Sequence, residues 1–158
     1  MREGLRGVDV DIVVWAERQA GALRRLAERQ PDAGVDWTRV VEAVEGAGRS
    51  LLHEAEAETV RAFYWHLMLA AHPDAANRRE WRAAAERGRR ASRAHLGTGA
   101  APRIDVRRLY ARAVREVRLL GRIGAAGPAP LAGECPITLD EWTGEDPDTE
   151  ALLRRLRA

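Results

Sequence analysis

From Trp37 to Ala70 an apolar or small residue returns every third or fourth position with no slip of phase: Trp37, Val41, Val44, Gly48, Leu51-Leu52, Ala55, Thr59, Phe63, His66-Leu67 and Ala70. A 3.6-residue period held for so long predicts one helix of about 35 residues, capped by Asp36 and stopped at His72-Pro73. A kink, if present, falls at Gly46 or Gly48. Gly48 also lies on the apolar stripe, where the missing side chain lets another helix come close.

Shorter periodic segments flank this one. A first helix follows Asp9-Val10-Asp11, either acid serving as N-cap, and ends near Arg29 before Gln30-Pro31 and the turn Pro31-Asp32-Ala33-Gly34. Its predicted inner face carries Trp15, Ala16, Ala20, Leu23 and Leu26-Ala27. A third helix covers Ala76 to Leu96 and stops at Gly97-Thr98-Gly99. On it Ala84, Ala85, Gly88, Ala91, Ser92 and His95 lie within about 80° of Trp81, a narrow stripe suited to close helix packing. A fourth, capped by Asp105, turns Val106, Leu109, Tyr110, Ala113, Val114, Val117 and Leu120 inward. The short connection between the third and fourth predicts antiparallel neighbours. Gly124 to Gly133 is rich in Gly, Ala and Pro, as an extended arm is. Thr138 and Glu141 have capping-box spacing, and Glu150 to Arg157 forms a last short helix with Leu152, Leu153 and Leu156.

The expectation is an all-α bundle of about four principal helices, one of them long, with a C-terminal arm and a short terminal helix. It is read as one domain: core 9–122, arm 123–136, C-terminal segment 137–158. Expected core residues are Trp15, Leu23, Val41, Val44, Leu52, Phe63, His66, Leu67, Trp81, Tyr110, Val114 and Val117. With 158 residues, 46% hydrophobic and 32% charged, the composition is that of a soluble globular protein. Charges interrupt residues 1–20, and the run Phe63–Ala71 is too short to span a bilayer, so no membrane association is expected. One cysteine, Cys135, excludes an internal disulfide and suits a reducing cytoplasm.

The distribution of charge changes the picture more than its total of +2. Between Arg78 and Arg122 stand fourteen arginines and four acids; residues 1–77 hold nine against thirteen, and residues 123–158 three against seven. The chain has no lysine at all. Arg78, Arg79, Arg82, Arg87, Arg89, Arg90 and Arg93 sweep the outer face of the third helix. Arg107, Arg108, Arg112, Arg115, Arg118 and Arg122 do the same on the fourth, and the two faces would merge if the helices were neighbours. Arg78, Arg82, Arg89, Arg93, Arg108, Arg112 and Arg115 are thus the candidate anion-binding face over residues 78–122. Such a face meets a phosphate backbone or pairs with the acidic flanks of its own chain. Base-stacking aromatics are missing from it, since Trp81 and Tyr110 fall on inward faces.

Little reactive chemistry is encoded. His66, on the buried stripe, is either a general base or a core histidine bonded to a backbone carbonyl. With Trp81 as its neighbour on the next helix, it makes the candidate buried polar site. No helix carries Glu-x-x-His or His-x-x-x-His, so neither a metal nor a cofactor is expected. Glu42, Glu45, Glu54, Glu56 and Glu58 read as solvated acids or arginine partners. Cys135 lacks an activating neighbour and reads as a small contact where the arm docks. No residue is assigned as catalytic. The reading is a non-enzymatic protein–protein interaction module, with a protein partner or a second copy; the alternative is a nucleic-acid-binding module using the arginine-rich face.

Asp36-Trp37, Gly48-Arg49-Ser50, His66-Leu67, Pro73, Trp81, Arg89-Arg90 and Cys135-Pro136-x-x-Leu139 stand in an order that resembles a bacterial family, domain of unknown function twenty-nine. The resemblance runs over roughly residues 9 to 146. It implies an all-helical bundle and a bacterial source, and no activity. Leu69-Ala70 stands where many relatives have Lys-Trp, and segment 97–102 is longer in Gly and Ala.

Overall fold

The structure, a computed structural model, describes residues 11–31, 34–120, 129–144 and 148–158, with only the backbone of 98 and 99. Asp9, Asp32, Ala33, Arg122 and arm residues 123–128 therefore lie outside the described residues. The elements are α1 (Ile12–Arg29), α2 (Trp37–Ala71), α3 (Arg78–His95), a π-helical turn (Leu96–Ala100), a short 3-10 turn (Ala101–Arg103), α4 (Val106–Leu120), α5 (Leu139–Thr143) and α6 (Thr149–Leu156). Among the described residues there is no strand; Leu131 and Arg157 form one isolated antiparallel bridge. The protein is all-α, as the periodicity predicts.

Helix starts follow their caps. Asp11 accepts from the Val14 amide at 2.8 Å, Asp36 from Arg39 at 3.1 Å and Asp105 from Arg108 at 3.1 Å. Thr138 and Glu141 form the reciprocal capping box. α2 is a single helix of 35 residues, running through Gly46 and Gly48. The chain does not stop at Gly97 as expected. Leu96 and Ala100 are buried, and these two apolar anchors carry it on as the π-helical turn.

α2 is the post on which the rest packs: α1, α3, α4 and α6 all lie against it. Two glycines set the distances. A Cβ on Gly48 would sit 3.1 Å from the Ala16 Cβ, and one on Gly88 would sit 3.2 Å from the Ala62 Cα. α3 and α4 each pack chiefly on α2 rather than on each other, correcting the expectation of antiparallel neighbours. What links them is the C-terminal segment. Trp142 stacks on Phe63 of α2 at 4.2 Å, Phe63 meets Tyr110 of α4 edge-on at 5.7 Å, and Glu150 pairs with Arg82 of α3.

The arm and α6 close on their own chain. Ala132 N–H donates to Leu156 O (2.9 Å), Ala158 N–H to Pro130 O (3.1 Å), and the Tyr110 hydroxyl to Ala132 O (2.8 Å). Leu152, Leu153 and Leu156 of α6 are buried in the core cluster. Phe63, His66, Leu67, Trp81, Tyr110, Val114, Val117 and Val41 are buried as predicted. Leu23, Val44 and Leu52 are only half-buried, and Trp15 is 44% exposed. α1 seats Val13, Ala16 and Ala20, whereas Trp15, about 100° round from Ala16, falls beyond the contact.

Replacing Gly88 by Val forces a branched side chain against the α2 backbone. The expected loss is about 1–3 kcal/mol of unfolding free energy, as overpacking generally costs, read as a lowered denaturant midpoint.

Candidate functional site

Five side chains from three helices make a polar cluster inside the core. Thr59 of α2 donates its hydroxyl proton to Ala55 O at 2.7 Å. The indole N–H of Trp142 can only donate, and it does so to Ser92 Oγ of α3 at 3.0 Å. The Ser92 proton is therefore directed at Thr59 Oγ1, 2.8 Å away. His66, 2% exposed, has Nδ1 2.7 Å from Ala62 O; a carbonyl only accepts, so Nδ1 carries the proton. Its ring meets Trp142 edge-on at 5.3 Å. Arg89 donates from Nε to Trp142 O (3.0 Å) and from Nη2 to Gly144 O (2.8 Å), with its guanidinium 5.7 Å from the Trp142 ring centre.

Burial pulls the His66 pKa down from 6.5 to about 4, helped by the positive Arg89 and opposed by the bond to Ala62. The imidazole is neutral near pH 7. No buried side-chain nitrogen or oxygen among the described residues lacks a partner. The arrangement holds the indole in place between α2 and α3. His66 and Trp81 are both buried, but they are not brought together: Trp81 stands against His72 at 6.0 Å. The indole beside His66 is Trp142, and the signal that marks it is the apolar residue that directly follows the Thr138–Glu141 capping box. Cys135 donates its thiol to Ile137 O at 3.2 Å, and burial pushes its pKa up, away from the nucleophilic thiolate. Among the described residues no group of three or more His, Cys, Asp or Glu is placed to hold a metal, and no helix is long and apolar enough to cross a membrane.

The structure splits the arginine face. Arg78 donates to Leu69 O (2.7 Å), Arg82 pairs with Glu150, and Arg89 holds α5. Arg93 is half-buried and also engaged within the chain. On α4, Arg108 pairs with Glu56 of α2, Arg112 with Glu116 at 3.2 Å, and Arg115 is exposed. Two arginines of α3, Arg82 and Arg89, secure the C-terminal segment, while those of α4 line a separate outer row with Arg107 and Arg118.

The hairpin of α1 and the first half of α2 has two unlike sides. One carries ion pairs: Arg24–Glu45, Arg49–Glu45 at 3.8 Å and Arg103–Glu17 at 2.6 Å. The other is apolar and open. Ile12, Trp15, Gln19, Ala22 and Leu26 fall within about 80° around α1, and Ile12, Leu26, Val35 and Val40 are 37–40% exposed beside Trp15.

The sequence profile of the family described as Domain of unknown function DUF29 matches residues 9–146, and the chain belongs to that family. The crystal structure of an alpha-helical protein of unknown function from Rhodospirillum rubrum is similar to it, with a TM-score of 0.83 and 28% identity, covering 98% of this chain and 100% of that one. No curated protein matches the chain.

The buried histidine yields a pH signature. Its pKa is lower folded than unfolded, so the unfolded chain binds a proton that the folded one refuses. Stability is therefore full above pH 6.5 and falls as the pH drops towards 4, by up to about 3 kcal/mol. His66→Gln is expected to lower stability at pH 7 by about 1–3 kcal/mol and to flatten this acid limb. Melting temperatures measured from pH 7 to 4 on both proteins check it; parallel curves would refute the assignment.

Proposed function

We propose that this chain is a single-domain, non-enzymatic protein–protein interaction module of the cytoplasm, and that it pairs through the apolar side of the α1/α2 hairpin. One observation carries the reading. Of the seven large hydrophobic residues exposed among the described residues, Ile12, Trp15, Leu26, Val35 and Val40 sit together on that hairpin. Singly they would mean nothing, but five large apolar residues on one hairpin, a tryptophan among them, have the make-up of an interface. A helical hairpin with one uncovered apolar side suits a helical partner, and a second copy of the hairpin supplies one in the form of a four-helix arrangement. The leucines of the arm and α6 are used in the chain's own core and offer no second pairing surface.

Full-length protein is expected to exceed monomer mass by light scattering at high micromolar concentration. Trp15→Glu should return it to monomer mass without altering its circular dichroism or melting temperature. A strictly monomeric full-length protein rules out self-pairing.

A second reading, nucleic-acid binding, is favoured by the outer row of α4. Arg107, Arg115 and Arg118 are exposed there, and the surface pairs of Arg108 and Arg112 are weak enough for phosphates to displace. With Tyr110 and Trp81 buried, such binding rests on charge alone and falls steeply with salt. Arg115→Glu with Arg118→Glu should abolish a duplex band shift; the absence of any shift for the unaltered protein in about 50 mM salt removes this reading.

A further inference from the structure

A pocket that the interaction reading leaves unused lies where α3 ends. It has a volume of about 610 Å³ and opens to solvent beside the π-helical turn. Four elements build it: Arg90, Arg93 and Ala94 come from α3, Leu96 and Gly97 from the π-helical turn, Ala101 from the 3-10 turn and Thr143 from α5. The volume is within the roughly 300–1,000 Å³ of small-molecule sites. Helical backbone that widens to a π turn is found often where ligands bind.

The lining chemistry is one-sided. Leu96, Ala94 and Ala101 supply apolar surface, and no acid is among the described lining residues. Arg90 and Arg93, one turn apart on α3, supply two positive charges. Arg90 is exposed, while Arg93 is half-buried and already engaged within the chain, so only its charge is needed here. The Thr143 hydroxyl donates to Leu139 O at 3.0 Å, which leaves its oxygen as an acceptor. Gly97 faces open space: a Cβ built on it meets nothing within 4 Å. That is the reverse of Gly88, and it allows a side chain to be grown at the pocket without touching the fold.

We propose that this pocket binds a small amphiphilic anion, with a carboxylate, sulfonate or phosphate head on the guanidinium of Arg90 and an apolar body over Leu96 and Ala101. Guanidinium forks match such oxyanions, and the apolar lining gives an attached hydrocarbon body a surface to cover. This inference does not depend on the hairpin pairing reading, because the two surfaces share no residue.

The probe is 1-anilinonaphthalene-8-sulfonate, titrated by fluorescence into the full chain, with octanoate and inorganic phosphate as competitors. The expected result is saturable binding of one dye per chain, displaced by octanoate and not by phosphate. Gly97→Leu, with unchanged circular dichroism and melting temperature, should weaken binding by about tenfold or more, and Arg90→Ala should do likewise. Should Gly97→Leu fail to fold, Arg90→Ala alone decides, since its side chain is exposed. Trp15→Glu is expected to leave the titration unchanged. Dye binding that survives both pocket variants, that is lost in Trp15→Glu, or that is displaced by phosphate alone would overturn the proposal.

Discussion

The carbonyls of the last turn of α2 emerge inside the protein, where water does not satisfy them, and the second half of the chain is arranged around that constraint. Met68 to His72 are all buried. A helix end leaves four carbonyls without intrahelical donors, and each left bare would cost about 1–3 kcal/mol. Here all four are met. His72 N–H takes Met68 O at 3.0 Å, Arg78 takes Leu69 O at 2.7 Å, Arg157 takes Ala70 O at 3.1 Å, and Ala129 N–H takes Ala71 O at 2.7 Å. Two donors are local and two arrive from the far end of the sequence. The arm and the last residues therefore complete α2, and their Leu131–Arg157 bridge is the by-product of bringing both to one helix terminus.

The same logic accounts for much of the arginine. A guanidinium near a helix C-terminus adds charge to the hydrogen bond, because the negative end of the macrodipole is there. Arg78 and Arg157 exploit this at α2. Arg89 works on α5, where its planar fork spans two acceptors two residues apart, Trp142 O and Gly144 O. A lysine ammonium, a point charge on a flexible stem, does not bridge two carbonyls in fixed geometry. Two arginines of the basic segment, Arg78 and Arg89, thus serve as donors for backbone that would otherwise be orphaned.

How much of this was legible in the sequence depended on period and length. α2 was readable because its phase holds over 35 residues, and the caps at Asp11, Asp36, Asp105 and Thr138 because capping is local chemistry. Trp142 was not, since a helix of five residues has no period to display a face. His66 was correctly placed inside, but its neighbour comes from beyond the arm, where sequence distance says nothing about contact. Trp15 shows the converse limit. Periodicity gives the direction in which an apolar side chain points, and it cannot say whether another element is there to cover it.

Whether anything covers Trp15 is a matter of helix lengths. At about 1.5 Å per residue α2 is about 50 Å long, while α3, of 18 residues, reaches about 27 Å. α3 packs on the C-terminal half of α2, as the close approach of Gly88 to Ala62 and the Ser92–Thr59 bond show, and α4 reaches α2 at Glu56 and Phe63. Among the described residues α1 is the principal neighbour of the N-terminal half, and the π-helical turn and Arg103 of the 3-10 turn reach α1 as well. One helix laid along another buries a single line of contact, here Val13, Ala16 and Ala20 against Val41 and Gly48. Apolar positions to the side of that line remain in solvent, and Ile12, Trp15, Leu26 and Val40 occupy such positions. Their exposure follows from an overhang of about 20 Å beyond the reach of α3. The described elements that follow the hairpin lie chiefly along the C-terminal half of α2, and the exposure of Ile12, Trp15, Leu26 and Val40 is the result.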